Sequence, residues 1–262
     1  MADGGASLGA RAARPFASLL SFATLTVLAL EAAVRRRGEG ARVVRDQVAK
    51  QIVFTGFDAV PLVTVLGALL GMAFVFTSVT LLPGIGGEQL IGKVLAISLV
   101  RELGPIVTAV VVIVRSATAV TTELGYMSAQ GEVEALELLG VDPAKFLLWP
   151  RFAGITSAVV GLTVLFSIAA FGAGFGAAVV LNAAPSVSYL VGNLTSNLMP
   201  ADLVVGFGKA FANGVIVSAI ACYHGLSVRR DVTQIPPRVT RAVVGGLLYC
   251  AGTSVLISIV SL

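Results

Sequence analysis

Arg101 and Glu102 stand side by side in an otherwise apolar stretch, in the run Arg101-Glu102-Leu103-Gly104-Pro105, and Lys209 stands in another. A charge at the centre of a bilayer costs at least about 2.5–3.5 kcal/mol, so charges kept there tend to be functional. Pro105 has no N–H to offer the Arg101 carbonyl four residues back, which weakens a helix where the charges lie. Adjacent helical residues point about 100° apart, so Arg101 and Glu102 do not satisfy each other and need partners elsewhere. Lys209 is one candidate partner for Glu102. Two readings fit the trio: a cavity that handles an anionic group, or a buried structural ion network.

The stretch Gly131–Arg151 is the second candidate. Val133, Leu136 and Leu139 step by three and make an apolar stripe, with Glu132, Glu134 and Glu137 around it. Gly140 is a helix stop. Asp142 followed by Pro143 is a helix start. The pattern predicts a short amphipathic helix, a corner and a new helix. Its acidic character suits a groove on a protein partner better than an anionic membrane surface. The plainer reading is a solvated loop helix.

Other motifs carry less. Gly87-Glu-Gln-Leu-Ile-Gly92-Lys93 imitates a phosphate-binding loop, but Val94 stands where Ser or Thr would hold magnesium, so nucleotide hydrolysis is not expected of this chain. Asn193-Leu194-Thr195 has the form of a glycosylation sequon. His224 is the one histidine, which leaves metal clusters and Ser/His/Asp catalysis almost nothing to build with. Cys222 and Cys250 both lie in apolar runs and read as packing residues. No catalytic residue and no metal ligand is expected.

The elements that must position these groups are membrane spans. Of 262 residues, 56% are hydrophobic, 29 are glycine and only 12% are charged, against about 25% charged in soluble domains. That excludes an ordinary soluble globule, a disordered chain and a disulfide-stapled domain. An all-α integral membrane protein remains. A span needs about 20 apolar residues. Four charge-free runs, and the apolar stretch 88–114 that carries Lys93, Arg101 and Glu102, predict five, near 54–80, 89–115, 150–181, 202–226 and 240–261. Asn182–Pro200 collects Asn, Ser, Thr and Pro and reads as a connecting loop. Gly67/Gly71 and Gly172/Gly176 are small-residue pairs that permit close helix packing.

Lys and Arg set the orientation and do not signal nucleic-acid binding. Residues 1–53, the connection between spans two and three, and that between spans four and five hold fifteen of the eighteen, while Lys93 stands alone on the opposite side. The positive-inside rule then puts the N-terminus in the cytoplasm and the C-terminus outside. Phe16–Val34 is apolar enough for a sixth span. Its Ser18, Ser21, Thr24 and Glu31 share a face, however, and arginines flank both ends, so an interfacial helix within a cytoplasmic segment 1–53 is preferred.

These pieces together resemble a known family. Arg101-Glu-Leu-Gly-Pro105, Glu123-Leu-Gly-Tyr-Met127, Glu134-Ala-Leu-Glu-Leu-Leu-Gly-Val-Asp-Pro143, Pro150-Arg151 and Cys222-Tyr-His-Gly-Leu226 occur in the order found in the MlaE/YrbE permeases, the membrane subunits of MCE-type ABC lipid transporters. The likeness covers about residues 45–262. It implies a homodimeric permease domain over 54–262 in a bacterial inner membrane, with no cofactor of its own. ATP and magnesium would sit on an MlaF-like cytoplasmic ATPase. An MlaD-like MCE protein would lie on the periplasmic side, and an MlaB-like STAS protein would accompany the ATPase. Phospholipids or related lipids would be the cargo. The resemblance assigns Arg101, Glu102 and Lys209 to a lipid-headgroup cavity. It assigns Glu132, Glu134, Leu136, Leu139, Gly140 and Asp142 to a coupling helix that docks on the ATPase, and the apolar stripe then makes Leu136 and Leu139 the expected anchors. Two other classes compete: an ion-coupled transporter using Glu102 as a proton site, and, less favoured, an intramembrane lipid-modifying enzyme.

Overall fold

A helix does not stop where the hydrocarbon ends, and the spans of this protein run well past it. The computed structural model describes residues 41–87, 90–182, 186–228 and 231–261, and every element among them is helical. The region 16–34 lies outside the described residues.

Among the described residues, five helical stretches are long and apolar enough to cross a membrane: Val44–Leu81, Ile91–Ala129, Phe146–Val180, Pro200–Leu226 and Val232–Val260. The second runs 39 residues, or roughly 58 Å at 1.5 Å per residue, about twice the hydrocarbon thickness. Apolar runs find most of each span. They miss the continuation of the second past residue 115, where the same helix carries Glu123.

The first span is α1 (Ala41–Gly56) and α2 (Val60–Leu81), joined by a 3₁₀ turn at Phe57–Ala59. The second is α3 (Ile91–Leu95), α4 (Gly104–Val112) and α5 (Thr118–Ala129), interrupted by π-helical turns at Ala96–Leu103 and Ile113–Ala117. A short helix α6 (Glu132–Leu138) and a third π turn (Ala144–Leu148) lead into the third span, α7 (Trp149–Val180). Then come α8 (Val187–Asn197), the fourth span α9 (Pro200–Leu226) and the fifth, α10 (Ile235–Val260). A 3₁₀ turn at Val232–Gln234 precedes α10. The Thr233 hydroxyl and amide donate to Asp231 there and hold its carboxyl below the usual carboxylate range.

The core runs through all five spans, and the tightest seam between them joins α2 to α7. Gly71 faces the Ala170 backbone so closely that an added Cβ would overlap its carbonyl, and a Cβ on Gly174 would come within 2.7 Å of the Gly71 carbonyl oxygen. Gly172 and Gly176 face open space, so the glycine of α7 used in this seam is Gly174. Gly71→Ala should therefore push α2 from α7, at about 1–3 kcal/mol for overpacking. In detergent its melting temperature should fall clearly while that of Gly172→Ala stays put. Equal melting of the two variants would refute the seam.

The segment expected as a loop contains a helix. In α8, Val187, Leu190, Val191 and Leu194 recur at helical spacing among polar residues, and Ser186 caps it by accepting from the Tyr189 amide at 3.2 Å. Leu190 is buried. Gly92, the second glycine of the phosphate-loop imitation, lies directly against the Asn193 carbonyl and serves packing.

Candidate functional site

Pro105 determines the geometry of the charged cluster. Lacking an N–H, it cannot continue an α-helical ladder, and the turn before it widens. The Gly104 amide bonds the Leu99 carbonyl five residues back, closing the π turn that carries Arg101 and Glu102. The Pro105 carbonyl accepts from the Asn213 side chain at 3.4 Å.

The fourth span presses against this turn. A Cβ on Gly206 would lie 2.8 Å from the Val100 carbonyl oxygen, so only glycine allows the approach. Asp202, Gly206, Lys209 and Asn213 follow at steps of four, three and four and share one face of α9. Lys209 donates to Glu102 Oε1 at 2.7 Å and to Ser258 Oγ at 2.6 Å. The Ser258 hydroxyl lies 3.1 Å from both Glu102 oxygens. Arg101 donates to Ser261 Oγ at 2.6 Å and to the Ser261 carbonyl at 3.2 Å, and its Nη1 lies 3.6 Å from Asp202. The Met199 amide donates to Asp202 at 3.2 Å.

The three predicted ionisable residues are thus together, with Lys209 paired to Glu102. Arg101 and Glu102 also approach each other, at 3.7 Å, closer than α-helical geometry implies. No hydrogen bond forms between them, and Arg101 Nε has no hydrogen-bond partner among the described residues. Lys209 is 0% exposed while the Glu102 side chain is 33% exposed, so the cluster opens on the Glu102 side. Asp202, Asn213, Ser258 and Ser261 were not anticipated. Ser254, Ser258 and Ser261 recur at steps of four and three in the last span, a hydroxyl stripe that marks a polar seam; Ser254 lies 3.4 Å from Asn213.

Two further arginines tie the spans together at or beside π turns. Arg115 pairs with Asp58 at 3.1 Å and donates to the Asp58 carbonyl. Buried Arg151 pairs with Glu123 at 3.0 Å and donates to the Leu147 carbonyl at 2.8 Å.

The α6 region has the predicted stop and start. The Val141 amide bonds Leu136 and the Gly140 amide bonds Glu137, with Gly140 at φ +75°, a Schellman ending. Asp142 accepts from the Ala144 amide at 2.9 Å. Glu132 and Glu134 lie exposed in the first turn, where a helix favours acids. The apolar stripe, however, is divided between two sides. Val133 and Leu136 are half-buried against the protein's own body. Leu138 and Leu139 point outward, 89% and 77% exposed. Of the two expected anchors, Leu139 faces outward and Leu136 does not.

Five apolar spans with a charged cluster among them define a multi-span membrane protein. The chain belongs to the MlaE permease family, whose model matches residues 48–260. It is 30% identical over 210 residues to the intermembrane phospholipid transport system permease protein MlaE of Haemophilus influenzae, covering 80% of each chain. A probable ABC transporter permease protein of Rickettsia bellii is 26% identical over 252 residues, 96% of this chain and 95% of that one. The chloroplastic protein TRIGALACTOSYLDIACYLGLYCEROL 1 of Arabidopsis thaliana is 29% identical over 202 residues, 76% of this chain and 57% of the relative. Membership in a permease family makes this a transport subunit.

Proposed function

We propose that this protein is the membrane subunit of an ATP-driven transporter that moves phospholipids or related lipids between the bacterial inner membrane and the cell envelope. One observation carries the reading: a chain of this family, with a relative named for intermembrane phospholipid transport, keeps a polar cluster between apolar spans. Acyl chains need only apolar walls, which the spans supply in excess. A headgroup needs polar partners, and Arg101, Glu102 and Lys209 supply them. Energy comes from a separate cytoplasmic ABC ATPase docked on the α6 tip. A second copy of the permease, an MCE-domain protein outside and a STAS protein beside the ATPase complete the assembly. The ion-coupled alternative is disfavoured, because Glu102 is already engaged by Lys209 and Ser258.

Reconstitution tests this directly. Vesicles holding permease and ATPase should move labelled phospholipid only when ATP is present. Transport driven by an ion gradient without the ATPase would overturn the proposal. Orientation has its own measurement. A reporter active only outside the cytoplasm, fused after α10, should be active. Activity from a cytoplasmic reporter at that site would reverse the assigned topology and make residues 16–34 a sixth span.

A further inference from the structure

The charges of the cluster cancel: Arg101 and Lys209 balance Glu102 and Asp202. A site built for a purely anionic headgroup would hold spare cation, and here both cations are already engaged. Lys209 is taken by Glu102 and Ser258, and Arg101 by Ser261 with Asp202 nearby. A phosphate therefore reaches Lys209 only by replacing a carboxylate. Glu102 is the carboxylate able to leave. It is 33% exposed, whereas Asp202 is 13% exposed and is held by the Met199 amide.

Displacement has a cost that depends on the ligand. A carboxylate released within a span, without a counter-charge, carries the penalty of an unpaired ion in a low-dielectric medium. A headgroup bearing phosphate alone creates that penalty. One bearing phosphate and ammonium together removes it, because the ammonium meets the freed carboxylate and the sum of charges stays at zero. A carboxylate and a phosphate monoanion present similar acceptor oxygens, so the Ser258 hydroxyl can serve either.

We infer that the cluster selects a zwitterionic lipid headgroup carrying both phosphate and ammonium, bound by ion-pair exchange: the phosphate takes Lys209 and Ser258 from Glu102, and Glu102 takes the ammonium. This rests on the reading of the cluster as a headgroup site and adds which headgroup it takes.

The test uses purified permease in neutral maltoside micelles containing equal amounts of phosphatidylethanolamine and phosphatidylglycerol with matched acyl chains, bound lipid being counted by mass spectrometry. The wild type should hold the ethanolamine lipid in about tenfold excess, the scale of one close ion pair. Glu102→Gln keeps an oxygen for Lys209 but leaves the cluster one positive charge in excess, so it should prefer the glycerol lipid. Asp202→Asn, with the same excess charge, should shift preference in the same direction and serves if the first variant folds poorly. Equal binding by the wild type, or variants that keep its preference, overturns the inference. A different pattern marks failure of the underlying reading: Lys209→Gln binding as much of each lipid as the wild type removes the headgroup site altogether. Free phosphoethanolamine at the lipid's concentration should not displace the lipid; displacement would assign the site to a soluble phosphate ester and overturn the lipid assignment.

Discussion

Glu102→Ala should destabilise the protein by about 3–5 kcal/mol in lipid-free detergent, whereas Lys209→Met should cost far less. The asymmetry follows from exposure. Removing Glu102 leaves a lysine that is 0% exposed with a single hydroxyl, Ser258, for its charge. Removing Lys209 leaves a carboxylate that is a third exposed, still beside Ser258 and 3.7 Å from Arg101. A methionine of similar length refills the lysine's space. The double variant Glu102→Ala with Lys209→Met should therefore recover most of the lost stability, because no stranded charge remains. Lipid transport should stay absent in it. Melting temperatures of the four proteins, with transport assayed in parallel, read both effects. Equal destabilisation by the two single variants would mean that packing, not charge, holds this corner. Transport by the stable double variant would remove the cluster from the transport path.

Much of this arrangement was legible in the sequence, and the gaps have physical causes. The spans were visible because hydrocarbon thickness sets the length of an apolar run. Their ends were not, because the second helix continues past residue 115 and carries the charged Glu123 beyond the apolar run. The α8 helix was hidden by composition: Asn193, Thr195, Ser196 and Asn197 suggest a loop, and only the spacing of Val187, Leu190, Val191 and Leu194 reveals a helix. The cluster's charges were visible because a charge in a span is rare. Ser258 and Ser261 are ordinary residues in a span taken singly, and only their register with Ser254 is informative. The closeness of Arg101 to Glu102 could not be read from α-helical angles, because a π turn intervenes.

That turn belongs to a pattern. The turn at Ala96–Leu103 precedes Pro105, and the turn at Ala144–Leu148 precedes Pro150. In both, the proline opens the α ladder and a nearby arginine bridges to another span: Arg101 toward Asp202, Arg151 to Glu123. The turn at Ile113–Ala117 has no proline but carries Arg115, paired with Asp58. π-helical residues are well under 1% of ordinary structure and concentrate at functional sites. Here one lies at the charged cluster and another at the root of the α6 loop, so the second span and the lead into the third bear irregular backbone at both places where movement would have to be received.

Replacing the outward leucines of α6 should uncouple the transporter without unfolding it. Leu138 and Leu139 are 89% and 77% exposed, so Leu138→Gln and Leu139→Gln should change stability by no more than about 0.5 kcal/mol. A leucine at the centre of an interface contributes on the order of 2 kcal/mol, which corresponds to a loss of about 30-fold in affinity for the ATPase. The pair together should abolish co-purification of the ATPase and ATP-driven lipid transport, while lipid binding by the permease alone persists. Leu136→Gln gives the opposite signature. Its side chain is half-buried against the core of its own chain, so this variant should melt at a lower temperature yet keep the outward leucines in place. A seven-residue helix with leucines on both sides explains why spacing alone points to Leu136: stepping by three from Val133 finds an apolar face but not the body it lies against. Normal co-purification with both outward leucines replaced, combined with its loss in a stable Leu136→Gln protein, would return the anchor to the stripe that the spacing suggests.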